Sequence, residues 1–231
     1  MNNNSKGEVL VISLGGSAIV PDEVDTIFLK KFREFIFNFI KNGGRAVIVA
    51  GGGGTNKKYN QAAQKVAKIK NIDLDWLGIA ATKLNAELLR VILGEKAYEK
   101  VVVNPTVKIK TNKKIIVAAG WQPGCSSDKD AVLWAKSFGA KRVVNLTNID
   151  YVYDKDPHKF SDARPLKNLK WAEYRKMVGN KWIPRMHAPF DPIASQLAEK
   201  WGMEVVIMRG SNLVNFRSFL QGKEFRGSIL G

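Results

Sequence analysis

Three glycine-bearing segments carry the residues best suited to chemistry: Gly15-Gly16-Ser17, Gly51-Gly52-Gly53-Gly54, and the run GWQPGCSSDKD from Gly120 to Asp130. The first two follow the apolar runs VLVISL and RAVIVA. Glycine tolerates positive φ and has no Cβ, so an anion can reach backbone N–H groups closely at such loops. A helix that starts there adds the favourable field of its N-terminus. Lys57 and Lys58 stand just beyond the four-glycine run. Together the loops point to phosphate binding, and the plainer account is a pair of tight strand-to-helix turns. Neither loop has the Gly-Lys-Ser/Thr ending of a Walker A loop or the full dinucleotide fingerprint.

In the third segment Gly120, Pro123 and Gly124 set a turn, Ser126 and Ser127 offer hydroxyls, and Asp128 and Asp130 offer carboxylates at the start of a helix. Any of Ser126, Ser127 and Asp128 could cap that helix. A carboxylate at this place could instead organise a phosphoryl-transfer centre, because that reaction needs charge placement more than a strong base. Cys125 is the only cysteine, with no histidine beside it, and His158 and His187 are the only histidines. A thiol-protease arrangement and a structural zinc site are therefore poorly supported, and no metal ligands are assigned.

A fourth segment, LTNIDYVYDKDP from Leu146 to Pro157, spaces Asp150, Asp154 and Asp156 at alternate even positions. It lacks the central glycine and terminal glutamate of a calcium loop. Tyr151 and Tyr153 could offer flat surfaces to a base, and Asn148 could hydrogen-bond its edge. The alternative is a strand exit running into an Asp-Pro turn.

The elements that must position these residues alternate along the chain. VLVISL and RAVIVA read as buried strands. Ile27, Phe28, Phe32, Phe35, Ile36 and Phe39 recur at helical spacing before Gly43-Gly44. TNKKYNQAAQKVAKI reads as a helix, and a further helix is expected after Gly78. YEKVVV, KIIVAA, AKRVVNLT and MEVVIMRG read as strands, with a helix over KDAVLWAKSFG between the second and third of them. NIDYVYDKDPHKFSDARPL reads as a long polar loop, followed by a helix over about Trp171 to Val178. Pro192 falls in a first helical turn after Asp191. NLVNFRSFLQG reads as a short helix, and FRGSIL as a final edge strand. This order predicts one α/β domain over residues 1–231, with helices on both faces of a mainly parallel sheet.

Composition narrows the function classes. The chain has 231 residues, 45% of them apolar, and its longest apolar runs fall well short of a membrane span. MNNNSKGE has no apolar signal core and the single cysteine fits a reducing compartment, so a cytoplasmic location is expected. The net charge of +16 would favour polyanions, but the basic residues are scattered and form no dedicated tail. A nucleic-acid binder is thus the weaker reading beside a basic phosphate enzyme.

The combination of SLGGS, GGGG, GWQPGCSSD, LTNIDYVYDKDP and PFDPIASQLA, in this order, resembles the amino acid kinase superfamily. Within it, the chain is similar to archaeal-type uridylate kinases nearly end to end, including DWLGIAATKLNAELL and GKEFRGSIL. The resemblance implies a three-layer α/β/α sandwich that transfers the ATP γ-phosphoryl group to UMP with Mg²⁺. It implies that Gly15, Gly16 and Ser17 contact the donor phosphates, and that Gly52, Gly53 and Lys57 hold the acceptor phosphate. Ser126 and Ser127 match a hydroxyl pair of the substrate site, and Asp128 matches the acidic organiser of the centre. Thr147, Asn148, Asp150, Tyr153, Asp156 and Pro157 match the ATP-binding stretch, while Asp191 matches the acidic residue opening a helix beside the phosphates. Gly15, Asp128 and Asp191 are the catalytic candidates. A homo-oligomer, with a hexamer built from dimers, is implied in the same way.

The chain departs from the family pattern at Ser13, where many members have lysine, at Tyr151, where glycine is usual, and at Gln122 and Cys125, where histidines are frequent. Two alternatives stay open. One is a same-fold kinase acting on another small phosphate or a carboxylate; the other is a non-catalytic nucleotide- or oxyanion-binding protein.

Overall fold

The computed structural model describes residues 8–157, 159–179 and 188–231. His158 and His187 lie outside the described residues. Strand β1 (Val9–Leu14) leads through Gly15 into a single-turn helix α1 (Gly16–Ile19), then α2 (Thr26–Lys41) and β2 (Arg45–Ala50). Next come α3 (Gly53–Val66), α4 (Asn71–Leu93), β3 (Ile115–Ala118), α5 (Ser127–Phe138) and β4 (Arg142–Thr147). The chain continues with β5 (Val152–Tyr153), β6 (Pro165–Leu166), β7 (Asn168–Leu169), α6 (Trp171–Val178) and α7 (Pro192–Lys200). It ends with β8 (Glu204–Arg209), α8 (Leu213–Leu220) and β9 (Ser228–Leu230).

Seven strands form one sheet in the order β3-β2-β1-β4-β8-β9-β7. All neighbours run parallel except β8 and β9. The expected mainly parallel sheet with helices on both faces is therefore present. Side chains alternate between the two faces, as the period of a strand requires. Leu10, Ile12 and Leu14 pack with Phe32, Phe35, Ile36 and Leu89 from α2 and α4. Val11 points to the other face with Val132 and Trp134 of α5 and Ala194 of α7. The same alternation sends Ser13, two residues on from Val11, toward α5.

The strand order also says where a ligand can sit. After β1 the chain adds β2 and β3 on one side, then returns to place β4 on the other. The crevice at the carboxyl ends of β1 and β4 is therefore a topological switch point, the usual ligand position in open parallel sheets. Gly15 and Thr147 leave those two strands side by side, with Gly15 N–H donating to Leu146 O at 2.8 Å.

Four elements differ from expectation. YEKVVV forms no strand: it holds one isolated bridge, Val102 to Ala118, and a second, Ala97 to Ile115, lies just before it, because the chain bends at Glu99 and Lys100 between them. FRGSIL does not make the edge: β9 lies inside the sheet, covered on its far side by the two-residue β7. The helix expected after Gly78 starts earlier, at Asn71, and runs through that glycine. A β-carbon on Gly78 would come 3.2 Å from Asn56 Oδ1, so glycine there reflects close packing of α4 on α3. Finally, the polar loop after β4 contains the short antiparallel pair β5-β6, clasped by Arg164 N–H donating to Asp154 Oδ1 at 2.8 Å. Among the described residues, no helix is long and apolar enough to cross a membrane.

Candidate active site

The two early glycine loops interlock. A β-carbon on Gly16 would lie 2.0 Å from Gly53 N, and one on Gly53 would lie 2.2 Å from Gly16 O. Gly53 has φ +57°, a left-handed conformation that side chains seldom adopt. Neither position has room for a side chain. The loops are fastened behind this contact by Gly51 N–H to Leu14 O at 2.9 Å and Gly54 N–H to Val20 O at 2.7 Å. The N–H groups of Gly52 and Gly53 meet no acceptor among the described residues. These groups, with the N–H groups of Gly16 and Ser17 in the first turn of α1, which likewise meet no acceptor among the described residues, are donors suited to phosphate oxygens. Ser17 is exposed at that turn. Lys57 is exposed on α3 one turn beyond Gly53, while Lys58 Nζ is tied to the carbonyl of Asp22.

Beside the donors lies an acidic centre drawn from three elements. Ser13 Oγ donates to Asp128 Oδ1 at 3.1 Å, and Asp191 N–H donates to Asp128 Oδ2 at 3.1 Å. Asp191 is the N-cap of α7, its Oδ1 accepting from Ala194 N–H at 2.7 Å, with Pro192 following as expected. Ser13 and Asp191 are 1% and 6% exposed. Asp128 keeps some accessible surface as a residue, but dense protein around its carboxyl desolvates it. That desolvation, reinforced by the charge of Asp191, pushes the Asp128 carboxyl up to about 7, against the opposing hydrogen bonds from Asp191 and Ser13. Tyr174 supports the arrangement by donating to Phe190 O at 2.8 Å and accepting from Phe190 N–H at 2.7 Å, which fixes the residue before Asp191.

The third loop is pinned to the helices. Ser126 is the N-cap of α5, its Oγ accepting from Lys129 N–H at 3.2 Å, a bond that uses a lone pair of the hydroxyl and not its O–H. Ser127 opens the helix and is half-buried. Asp130 is fully buried and accepts Trp121 N–H at 3.2 Å through Oδ2. Desolvation raises its carboxyl to about 7. Two α4 side chains, neither singled out by their sequence, hold the same loop: Asp75 accepts Gly124 N–H at 3.1 Å and Thr82 Oγ1 accepts Gly120 N–H at 2.9 Å. Cys125 is half-buried, and its thiol is pushed up first by desolvation and then by Asp130.

On the β4 side, Thr147 abuts Gly15, with its Cα 3.6 Å from where a β-carbon on that glycine would sit. Asn148 is exposed next to it. Asp150 makes a two-bond ion pair with Arg209 at 2.9 and 3.0 Å, joining the segment to the end of β8. Tyr153 stands edge-on to Tyr151 with ring centres 6.2 Å apart. Asp156 and Pro157 lie in an exposed turn beyond β5, where Asp156 O accepts from Lys159 and Phe160 at 3.1 and 3.0 Å. Among the described residues, no three carboxylate, histidine or cysteine groups converge as a metal site.

The model of the amino acid kinase family matches residues 8–209 of the chain. The chain belongs to the amino acid kinase family. Within the family it is similar to the uridylate kinase of Staphylothermus marinus, with 34% identity over 96% of this chain and 97% of that one. It is likewise similar to the uridylate kinase of Sulfurisphaera tokodaii, at 31% over 96% and 98%. Among solved structures, the uridylate kinase of Archaeoglobus fulgidus superposes with a TM-score of 0.80 at 25% identity, covering 97% of this chain and all of that one. The UMP kinase of Bacillus anthracis superposes at 0.77 with 20% identity over 99% and 97%, a likeness of fold. For an amino acid kinase family member, the interlocked loops and the Asp128 centre occupy the crevice predicted by the strand order.

Proposed function

We propose that this protein transfers the γ-phosphoryl group of ATP to UMP, giving ADP and UDP. The observation that carries the reading is the interlock of Gly16 with Gly53 beside Asp128. It brings two sets of backbone donors together at the end of β1, where Ser13 holds a desolvated carboxyl, as a two-phosphate reaction needs. The near end-to-end similarity to proteins named uridylate kinase supports the choice of acceptor.

In this mechanism the first turn of α1, at Gly16 and Ser17, orients the donor phosphates. Gly52 and Gly53, with Lys57, hold the acceptor phosphate in line. A phosphomonoester is mostly ionised at neutral pH, its second pKa being about 6, so no strong base is needed. Asp128 and Asp191 order the space between donor and acceptor, and Thr147, Asn148 and Tyr153 face the nucleotide. Asp150 acts through Arg209 by fixing the segment that carries them. The hard oxygens of Asp128 and Asp191 fit Mg²⁺, which commonly takes one or two carboxylates alongside substrate phosphates. When bound with ATP, Mg²⁺ would supply positive charge against the transferring group.

The test is ADP release with a panel of nucleoside monophosphates and small carboxylates. ATP-dependent UDP formation well above all other products is expected; folded protein that binds ATP but leaves UMP unphosphorylated would refute the assignment. The loop from Gly120 to Ser127, which carries Gln122 and Cys125, motivates including other acceptors. The homo-oligomer belongs to the same proposal. Ile72, Trp76, Leu84 and Val91, exposed along α4, support self-association, which sedimentation velocity checks.

A further inference from the structure

Asn85 is a polar side chain on the buried face of α4, only 2% exposed, between Ala81 and Leu89 of the core. Burying a carboxamide is unfavourable unless its hydrogen bonds are made. Here Nδ2 donates to Gly51 O at 2.8 Å and to Gly52 O at 3.1 Å. Both bonds go to the four-glycine loop, 34 and 33 residues earlier in the chain.

The consequence follows from the planar trans peptide, in which the carbonyl of one residue and the N–H of the next point in opposite directions. Holding Gly51 O and Gly52 O toward α4 turns the N–H groups of Gly52 and Gly53 away from it. Those are the two amides that lack acceptors among the described residues, while their neighbours Gly51 and Gly54 are satisfied within the fold. Four consecutive glycines would otherwise sample many backbone conformations, and a ligand would have to order them on binding. A clamp from behind settles that entropy during folding and leaves the donors preorganised.

We infer that Asn85 is a positioning residue for the acceptor phosphomonoester, acting through the peptide planes of Gly51 and Gly52. The inference rests on the reading of this loop as the acceptor-phosphate site. Asparagine is suited to the position because one NH₂ group reaches two adjacent carbonyls. Aspartate, of the same shape, would set carboxylate oxygens against them.

Two experiments test it. In the wild-type protein, ¹⁵N–¹H spectra titrated with UMP, and separately with inorganic phosphate, should show the Gly52 and Gly53 amides among the largest shifts. Failure of both amides to shift at saturation overturns the inference whatever the variants do. In Asn85→Leu and Asn85→Asp, KM for the acceptor should rise about 10-fold to 100-fold, the range for leaving buried partners unpaired. KM for ATP should stay near wild type, and Lys83→Ala, exposed on the same helix, serves as the comparison. A folded Asn85→Leu protein with unchanged acceptor KM, or with both KM values rising equally, overturns it. If wild type makes no UDP but the two amides still shift with phosphate, the uridylate reading fails, and the role of Asn85 stands only where Asn85→Leu needs more phosphate to give the same shifts.

Discussion

Ser13 and Asp128, 115 residues apart in the chain, are joined by a 3.1 Å hydrogen bond at the carboxyl end of β1. The hydroxyl stabilises the charged carboxylate and so restrains a pKa that burial drives upward. Ser13→Ala should raise the Asp128 pKa further, moving the acid limb of a pH–rate profile to higher pH. The stability cost should be about 1 kcal/mol, typical of one lost hydrogen bond. Ser13→Lys should move the limb the other way, because an ammonium near two carboxylates favours their ionised forms. Profiles that coincide for all three proteins would remove Asp128 from the rate-determining ionisation.

Gly16→Ala tests the interlock. The added methyl would sit 2.0 Å from Gly53 N, where only backbone can yield. One or both loops must shift, and misplacing a reacting group by about 1 Å can cost about 100-fold in rate. The expected result is a loss in kcat of that order with the sheet intact by circular dichroism. Near wild-type kcat would show that the two loops do not set the register of transfer.

Asp128 and Asp130 both have folded-state pKa values raised from 3.8 to about 7, so their effect on stability has a definite sign. Below the unfolded value both groups are protonated in either state. Between about 4 and 7 the unfolded chain releases protons that the folded chain keeps, so stability falls as pH rises. Above 7 both states are ionised and the penalty levels off. Asp130→Asn retains an acceptor for Trp121 N–H and removes the ionisation, at the smaller cost of a buried NH₂. Its Tm should decline less than wild type across this window and be higher at pH 8. Parallel Tm curves for the two proteins would show that the Asp130 carboxyl titrates alike in the folded and unfolded chain.

Sequence pattern was enough for the alternation of strands and helices, because apolar period and glycine punctuation are local signals. The glycine loops are legible for the same reason, as is the helix opening after Asp191, whereas residue types leave the cap of α5 open among Ser126, Ser127 and Asp128 and the structure gives it to Ser126. What escaped was whatever depends on distant partners. Asp75, Thr82 and Asn85 look like ordinary polar residues of an amphipathic helix until their bonds to Gly124, Gly120 and the four-glycine loop are seen. Tyr174 read as part of a charged helix, yet its hydroxyl fixes the approach to Asp191. The two-residue β7 carried no signal of its own, so the last strand was expected at the edge. Ser126 shows the converse: its residue type allows both a cap and a substrate contact, and the structure shows the cap, which leaves the O–H unused by that bond.

Arg209 and Asp150 give the last prediction. Their double hydrogen bond, at 2.9 and 3.0 Å, ties the segment after β4 to the end of β8. The two side chains are 43% and 35% exposed, so solvent screens the pair and its share of global stability should be about 1 kcal/mol or less. Its effect on the nucleotide side should be larger than that figure suggests, since the segment carries Asn148 and Tyr153 and, between the anchors at Thr147 O and at Val152 N–H on Ser228 Oγ, this pair fixes its middle. Arg209→Met should therefore raise KM for ATP several-fold while leaving KM for UMP and Tm close to wild type. Asp150→Asn, which keeps one acceptor for the guanidinium, should have a weaker effect in the same direction. Equal changes in both KM values would place this ion pair outside the donor site and assign it to the scaffold instead.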